Sequence, residues 1–308
     1  MTSVGSIVGG GFRLIRERPV AVVIWAALYA LLGFGSQMLA LRMVAAVRVG
    51  PGEAPDPSAM MGMFGAMLPI YLLLCLLGIV MLCASYRAVL RPGESGFGYL
   101  RIGMDELRML GLFLIIIVVA IVGGFILVLL MSMIAGGLML AAGNSPLIGL
   151  VLGGGLYIAM LGAMIYIYVR LSLMFPLTFA RRRISIDGAW ALTRGRFWTL
   201  FGAYFVIGVI SFVLLMAVSL PFTGPMFAGM IEGIRNPQAM EQIQAAQMER
   251  QMNQPLAMTA LITILNAIVQ AVLLALSGGA TATATRELLA DSGEVLEEDA
   301  EATAAIFE

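Results

Sequence analysis

Long apolar runs, broken by short polar stretches, set the rhythm of this chain. Six runs stand out, at 20–44, 64–86, 109–133, 147–174, 199–220 and 258–276. A helix that crosses a bilayer needs about 20 mostly apolar residues, so each run predicts one membrane span. The first run is too long for the apolar core of a signal peptide. No convincing small-residue cleavage site follows it, so it reads as a retained span.

A second pattern lies between the runs. Short arginine-bearing amphipathic stretches precede the odd-numbered spans: GFRLIRERPVAVVIW from Gly11, YLRIGMDELRMLGLF from Tyr99 and AWALTRGRFWTLFG from Ala189. Aligning Arg16, Glu106 and Arg194 brings Arg18, Arg108 and Arg196 into one column. A recurrence of this kind reads as one structural unit used three times, a surface helix followed by a pair of spans. The expected architecture is all-α. It is a polytopic membrane protein with six transmembrane helices over 1–290, followed by an acidic tail over 291–308.

The stretch from Phe179 to Phe201 is the densest in chemistry, with five arginines and two tryptophans. Pro176 is expected to end the fourth span, because proline lacks the N–H that continues the helical ladder. Ser185 can cap a new helix, with Asp187 in its first turn and Arg194 in its last, as the helix dipole favours. Gly195 is the stop. Ile186, Ala189, Trp190 and Thr193 share one face, which Phe197 extends. Arginines mixed with aromatic rings mark a membrane–water boundary, so this helix is expected to lie in the interface with its apolar side down. Arg181, Arg182, Arg183, Arg194 and Arg196, flanked by Trp190 and Trp198, are the candidate contacts for lipid or ligand phosphate, since arginine forks match phosphate. The alternative is a topology signal with only general attraction to anionic lipid. Arg42 and Arg170, near span ends, can snorkel toward headgroups.

Composition agrees with a bilayer as solvent. The chain is 61% hydrophobic and 12% charged, about half the charge of a typical soluble protein. Its net charge of zero conceals a basic body and a tail that is acidic without a single base. All eighteen bases are arginine, and fourteen fall on the side of the membrane that holds the two ends of the chain. Cytoplasmic loops carry the excess of positive charge, so both termini are expected in the cytoplasm. Nucleic acid is an improbable partner, because the arginines lie against a membrane rather than in a separate basic domain.

The residue types that are missing narrow the chemistry. There is no histidine and no lysine. That removes imidazole-based triads and metal ligation, Walker-type phosphate lysines and Schiff bases. The spans carry no carboxylate, unlike most ion-coupled carriers. Cys75 and Cys83 are separated by about 12 Å of helical rise, too far for a disulfide. Glycines at 123, 124, 149, 153, 154, 155 and 162 suit close helix packing inside the bundle or a homodimer seam. Methionines at 60, 61 and 63 and in the loop at 221–256 are soft ligands suited to Cu(I), but methionine is spread throughout the chain as a gap-filler, so no metal or cofactor is expected. Within that loop, Ala245, Met248 and Met252 fall on one face of an expected helix between Pro237 and Pro255, with a second helix carrying Met226, Met230, Ile231 and Ile234 before it.

The arginine and proline closing span four (Arg170, Pro176), and the surface helix ending LTRGRFWTLFG, resemble the glycerophosphoryl diester phosphodiesterase membrane-domain family. They are similar also to YciC-like bacterial inner-membrane proteins. The likeness covers about residues 1–285 in layout and about 30 residues in motif. It implies a six-span helical bundle in a bacterial inner membrane. The phosphodiesterase activity in that name belongs to a soluble domain that needs histidines, which this chain lacks. The expected role is therefore a multi-pass protein without catalytic machinery that supports membrane or envelope organisation or assembly. The alternative is a passive or partner-dependent transporter or lipid-handling protein that uses the arginine belt. Expected partners are anionic lipid headgroups, and a second copy or another membrane protein.

Overall fold

The computed structural model describes residues 2–46, 57–143, 145–235 and 254–294. Among them there are helices and turns and no strand. In chain order the helices are α1 (Val4–Glu17), α2 (Pro19–Ala46), α3 (Pro57–Leu90), a single 3-10 turn (Phe97–Tyr99), α4 (Met104–Ala142), α5 (Pro146–Leu171), α6 (Met174–Arg181), α7 (Ile186–Leu192), α8 (Phe197–Arg235) and α9 (Leu256–Asp291). Six helical stretches are long and apolar enough to cross a membrane, and the chain is a multi-pass membrane protein. Neither Cys75 nor Cys83 is in a disulfide among the described residues.

Several helices outrun the apolar segments that foretold them. α8 does not stop at residue 220 but passes through Pro221 and Pro225 to Arg235. Each proline costs one hydrogen bond locally, whereas opening the backbone in an apolar medium strands several polar groups at once. The expected second outer helix, with Met226 to Ile234, is therefore the end of α8, while the expected helix between Pro237 and Pro255 lies outside the described residues apart from Gln254 and Pro255. α9 likewise continues beyond residue 276 through a threonine-rich segment, where Thr285 Oγ1 donates to the Thr281 carbonyl oxygen at 3.0 Å.

Span four ends before its proline. α5 stops at Leu171, Ser172 and Leu173 form a turn, and α6 begins at Met174. Pro176 sits in the first turn of α6, where a backbone N–H would have no partner within the helix, so it helps to start a helix rather than to end one. α7 covers the expected position but ends at Leu192, leaving Arg194 in the turn beyond it. Ser185 makes no side-chain cap. Its Oγ donates to the Arg183 carbonyl oxygen at 3.3 Å, and its N–H donates to Thr178 Oγ1 at 3.3 Å. Separate helices precede spans one and five. Ahead of span three, the stretch from Tyr99 is divided between the 3-10 turn and the first turns of α4.

The chain forms two compact units. One holds Arg101–Ala203 with the chain ends Met1–Ile7 and Thr281–Glu308, and the other holds Val8–Leu100 and Tyr204–Ala280. In the second unit, Leu14, Val22, Trp25, Met81, Ala84, Tyr99, Ala271 and Ala275 form the core. There α1 and α9 approach backbone to backbone. A Cβ on Gly11 would lie 2.5 Å from the Leu276 carbonyl oxygen, and one on Gly279 would lie 3.0 Å from Gly11 Cα. These glycines make the close packing that the sequence pattern assigned to α4 and α5. By contrast, a Cβ on Gly123, Gly124, Gly153, Gly154, Gly155 or Gly162 would meet open space.

In the first unit, α4, α6, α7 and the end of α9 share a core of Leu112, Met174, Leu177, Ala189 and Leu289. Above it, α4 and α5 run bare. Only 6% of the most apolar stretch of the span ending at Leu138 is buried among the described residues.

Candidate functional site

The predicted site residues all fall in the first unit, around the helix ends near residues 170–201 and 291. α6 and α7 place them. A Cβ on Gly188 would strike the Arg181 guanidinium and lie 3.1 Å from Leu177 Cδ2, so the missing side chain lets α7 lie close against α6. Ala189 is wholly buried beneath them.

Arg181 and Arg196 are held by carboxylates of the same chain. Arg181 donates from Nε to Glu294 Oε1 at 2.9 Å and from Nη2 to Oε2 at 2.6 Å. Arg196 Nη1 lies 2.8 Å from Asp291 Oδ2 and donates to Thr2 Oγ1 at 3.0 Å, and Thr2 Oγ1 is 3.2 Å from the same Asp291 oxygen. Nearby, Ser6 Oγ donates to Glu287 Oε2 at 2.9 Å. The tail thus begins on the arginine surface, and its residues from 295 on lie outside the described residues. The hydrogen bonds from Arg181 hold the Glu294 carboxyl below the usual glutamate range; burial opposes them, and the charges of Arg181 and Arg183 add to them. Arg181, Asp187, Arg196, Asp291 and Glu294 line a cleft of about 650 Å³.

The other residues are spread more widely. Arg182 caps α6 in the left-handed conformation at φ 51° and is exposed. Arg183 and Arg194 are exposed as well. Trp198 is 78% exposed, with its ring 5.2 Å from that of Phe197 and 6.0 Å from that of Phe201. Trp190 joins a different group, built around a residue expected to reach outward.

That residue is Arg170. It does not snorkel but is folded inward and is 6% exposed. Its guanidinium carbon lies 4.5 Å from the centre of the Trp190 ring and 5.9 Å from that of Tyr166, which is cation–π geometry. Nη1 donates to Thr193 Oγ1 at 3.3 Å. Thr193 Oγ1 in turn lies 2.9 Å from the Ala189 carbonyl oxygen and 3.1 Å from that of Arg170, which ties the turn after α7 to the end of α5. Arg170 Nε is buried and has no hydrogen-bond acceptor among the described residues. Arg170, Tyr166, Trp190, Ala191, Arg194 and Asp187 line a second cleft, of about 640 Å³.

Residue order alone points to neither Arg170 nor the carboxylates that hold Arg181 and Arg196. The available signals are modest: an arginine on the last turn of a span, and acids closely following the last helix. The surface offers guanidinium donors and aromatic faces, suited to holding an anion at the edge of an apolar phase. No family model, no curated protein and no solved structure matches this chain.

Proposed function

We propose that this chain is a multi-pass protein of a bacterial inner membrane, without catalytic machinery, that supports membrane or envelope organisation or assembly. Both ends of the chain and the arginine-bearing helix ends face the cytoplasm, as the fourteen-to-four distribution of arginines favours. One observation carries this reading. The charges at these helix ends are engaged in joining segments distant in the chain, Arg181 to Glu294 and Arg196 to Asp291, rather than gathered round a reaction centre. The resemblance in layout to the glycerophosphoryl diester phosphodiesterase membrane-domain and YciC-like families supports the same compartment. It supplies no activity.

The bare α4–α5 hairpin and the cleft at Arg170 favour a second reading, lipid handling. Reconstitution of the purified chain in liposomes separates the two. The organising role predicts no movement of solutes or lipids above protein-free vesicles; robust flux or scrambling would replace it with the second reading. Topology is tested by accessibility tagging at residues 2 and 300, which should react only from the cytoplasmic side. Reversing Arg181, Arg182 and Arg183 to Glu should disturb that topology.

A further inference from the structure

We infer that the cleft at the end of α5 is a binding site for a phosphate group, held between Arg170 and Arg194. The inference deepens the lipid-handling reading and rests on this end of the chain lying at the headgroup level of a membrane. Arg170 is the centre of the site. A guanidinium this deeply buried loses its hydration, and the loss is offset only by acceptors or counter-charges. Within the protein it has one hydroxyl acceptor and two aromatic faces, and no carboxylate lies within ion-pair distance among the described residues. Its Nε–H has no acceptor there. Arg170 lines the cleft, so an anion that enters meets a guanidinium with only one hydroxyl acceptor of its own.

Phosphate fits best among the common anions. Its several oxygens accept from a guanidinium fork and a second arginine together. Arg194, exposed on the turn after α7, supplies the second charge. Asp187 also lines the cleft and opposes it, but two cations outweigh one carboxylate. The cleft's volume of about 640 Å³ exceeds what a bare carboxylate would fill and suits a phosphate with an attached organic group. The half-exposed Trp190 and Tyr166 rings form an amphipathic wall beside it, with Tyr166 edge-on to Trp190 at 6.1 Å. Both a phospholipid headgroup and a free phosphate present this chemistry.

Trp190 is a reporter built into the site. The full chain in a non-ionic detergent is titrated with short-chain phosphatidylglycerol, with inorganic phosphate and with diacylglycerol of the same chain length, following tryptophan fluorescence. Phosphatidylglycerol should give a saturable change that Trp190→Phe abolishes and diacylglycerol does not reproduce. A matching response to inorganic phosphate supports the site with free phosphate as its ligand, and a response to the lipid alone supports a headgroup. Arg194→Gln should weaken binding about tenfold, the scale of one charge-assisted contact. Asp187→Asn should tighten it several-fold, a gain that misfolding cannot produce. No saturable change with either phosphate-bearing probe, an equal response to diacylglycerol, or unchanged affinity in both variants would overturn the assignment. The titration needs neither orientation nor physiological role. A failed organising role leaves it intact, and a flat titration leaves that role standing.

Discussion

Arg181 holds both carboxylate oxygens of Glu294, at 2.9 and 2.6 Å, across 113 positions of sequence. Because Glu294 lies just past the last helix, this contact fixes where the acidic tail leaves the protein. Glu294→Gln should free the tail and raise its rate of cleavage by an added protease several-fold at neutral pH. Global stability should fall by less than about 1 kcal/mol, because the pair is partly solvated. Tail cleavage unchanged in the variant would show that other contacts hold this segment.

The same contact should depend on acid in one direction. Glu294 is held below its ordinary value of 4.5 in the folded chain. Its contribution is therefore fully present above that ordinary value and is lost as pH falls through the lower folded value. Tail protection should persist at pH 5 and above and disappear on further acidification. The measurement is cleavage rate against pH with a protease active in acid, with Glu294→Gln as the flat reference. Loss of protection near neutrality would contradict the assignment.

Close approach of α1 and α9 predicts an asymmetry among glycines. Gly11→Ala forces a methyl group onto facing backbone and should cost about 1–3 kcal/mol, and Gly279→Ala, whose methyl would sit 3.0 Å from Gly11 Cα, should cost less. Gly153→Ala and Gly123→Ala meet open space and should be neutral or slightly stabilising, by up to about 1 kcal/mol of helix propensity. Thermal unfolding in detergent distinguishes the pairs. Equal losses at all four positions would mean that α4 and α5 are packed against something.

Arg87 is a structural arginine. Its side chain is 1% exposed, donates from Nη1 to the Tyr99 carbonyl oxygen at 2.7 Å and lies 3.3 Å from Glu94. The turn it holds is strained at Tyr99, whose φ is 61° next to Gly98, and Trp25 braces it by donating from Nε1 to the Gly98 carbonyl oxygen at 2.8 Å. Arg87→Met should cost about 3 kcal/mol by removing the buried donor to the Tyr99 carbonyl and the nearer of the two arginines beside Glu94. The expected signature is a lower melting temperature with faster amide exchange at 97–101, and retained exchange protection there would refute it.

The six spans were legible because the hydropathy that drives a helix into lipid is local, read residue by residue. Their lengths were not. Pro221, Pro225 and Pro176 look like breakers in isolation, yet two lie inside a helix and one begins a helix. The glycines show the same limit. GGG at 9–11 and GGG at 153–155 are identical on paper, but Gly11 meets the α9 backbone while a Cβ on Gly153, Gly154 or Gly155 would meet nothing among the described residues. For the candidate site, Trp190, Arg194 and Asp187 could be placed on one short helix and its turn. The inward fold of Arg170 could not, because Thr193 and Trp190 reach it from across a turn. Charge pattern revealed an acidic tail and a basic surface; the pairing of Arg181 with Glu294 needed three dimensions.

α4 carries one further implication. Its 39 residues span about 58 Å at 1.5 Å each, nearly twice the ~30 Å of hydrocarbon in an ordinary bilayer. Its first turns, with Asp105, Glu106 and Arg108, can stand among the headgroups, and the apolar remainder leans steeply or draws the surrounding leaflets thicker, each at an energy that rises with the mismatch. Reconstituted into bilayers of graded thickness, the protein should therefore partition toward the thicker ones.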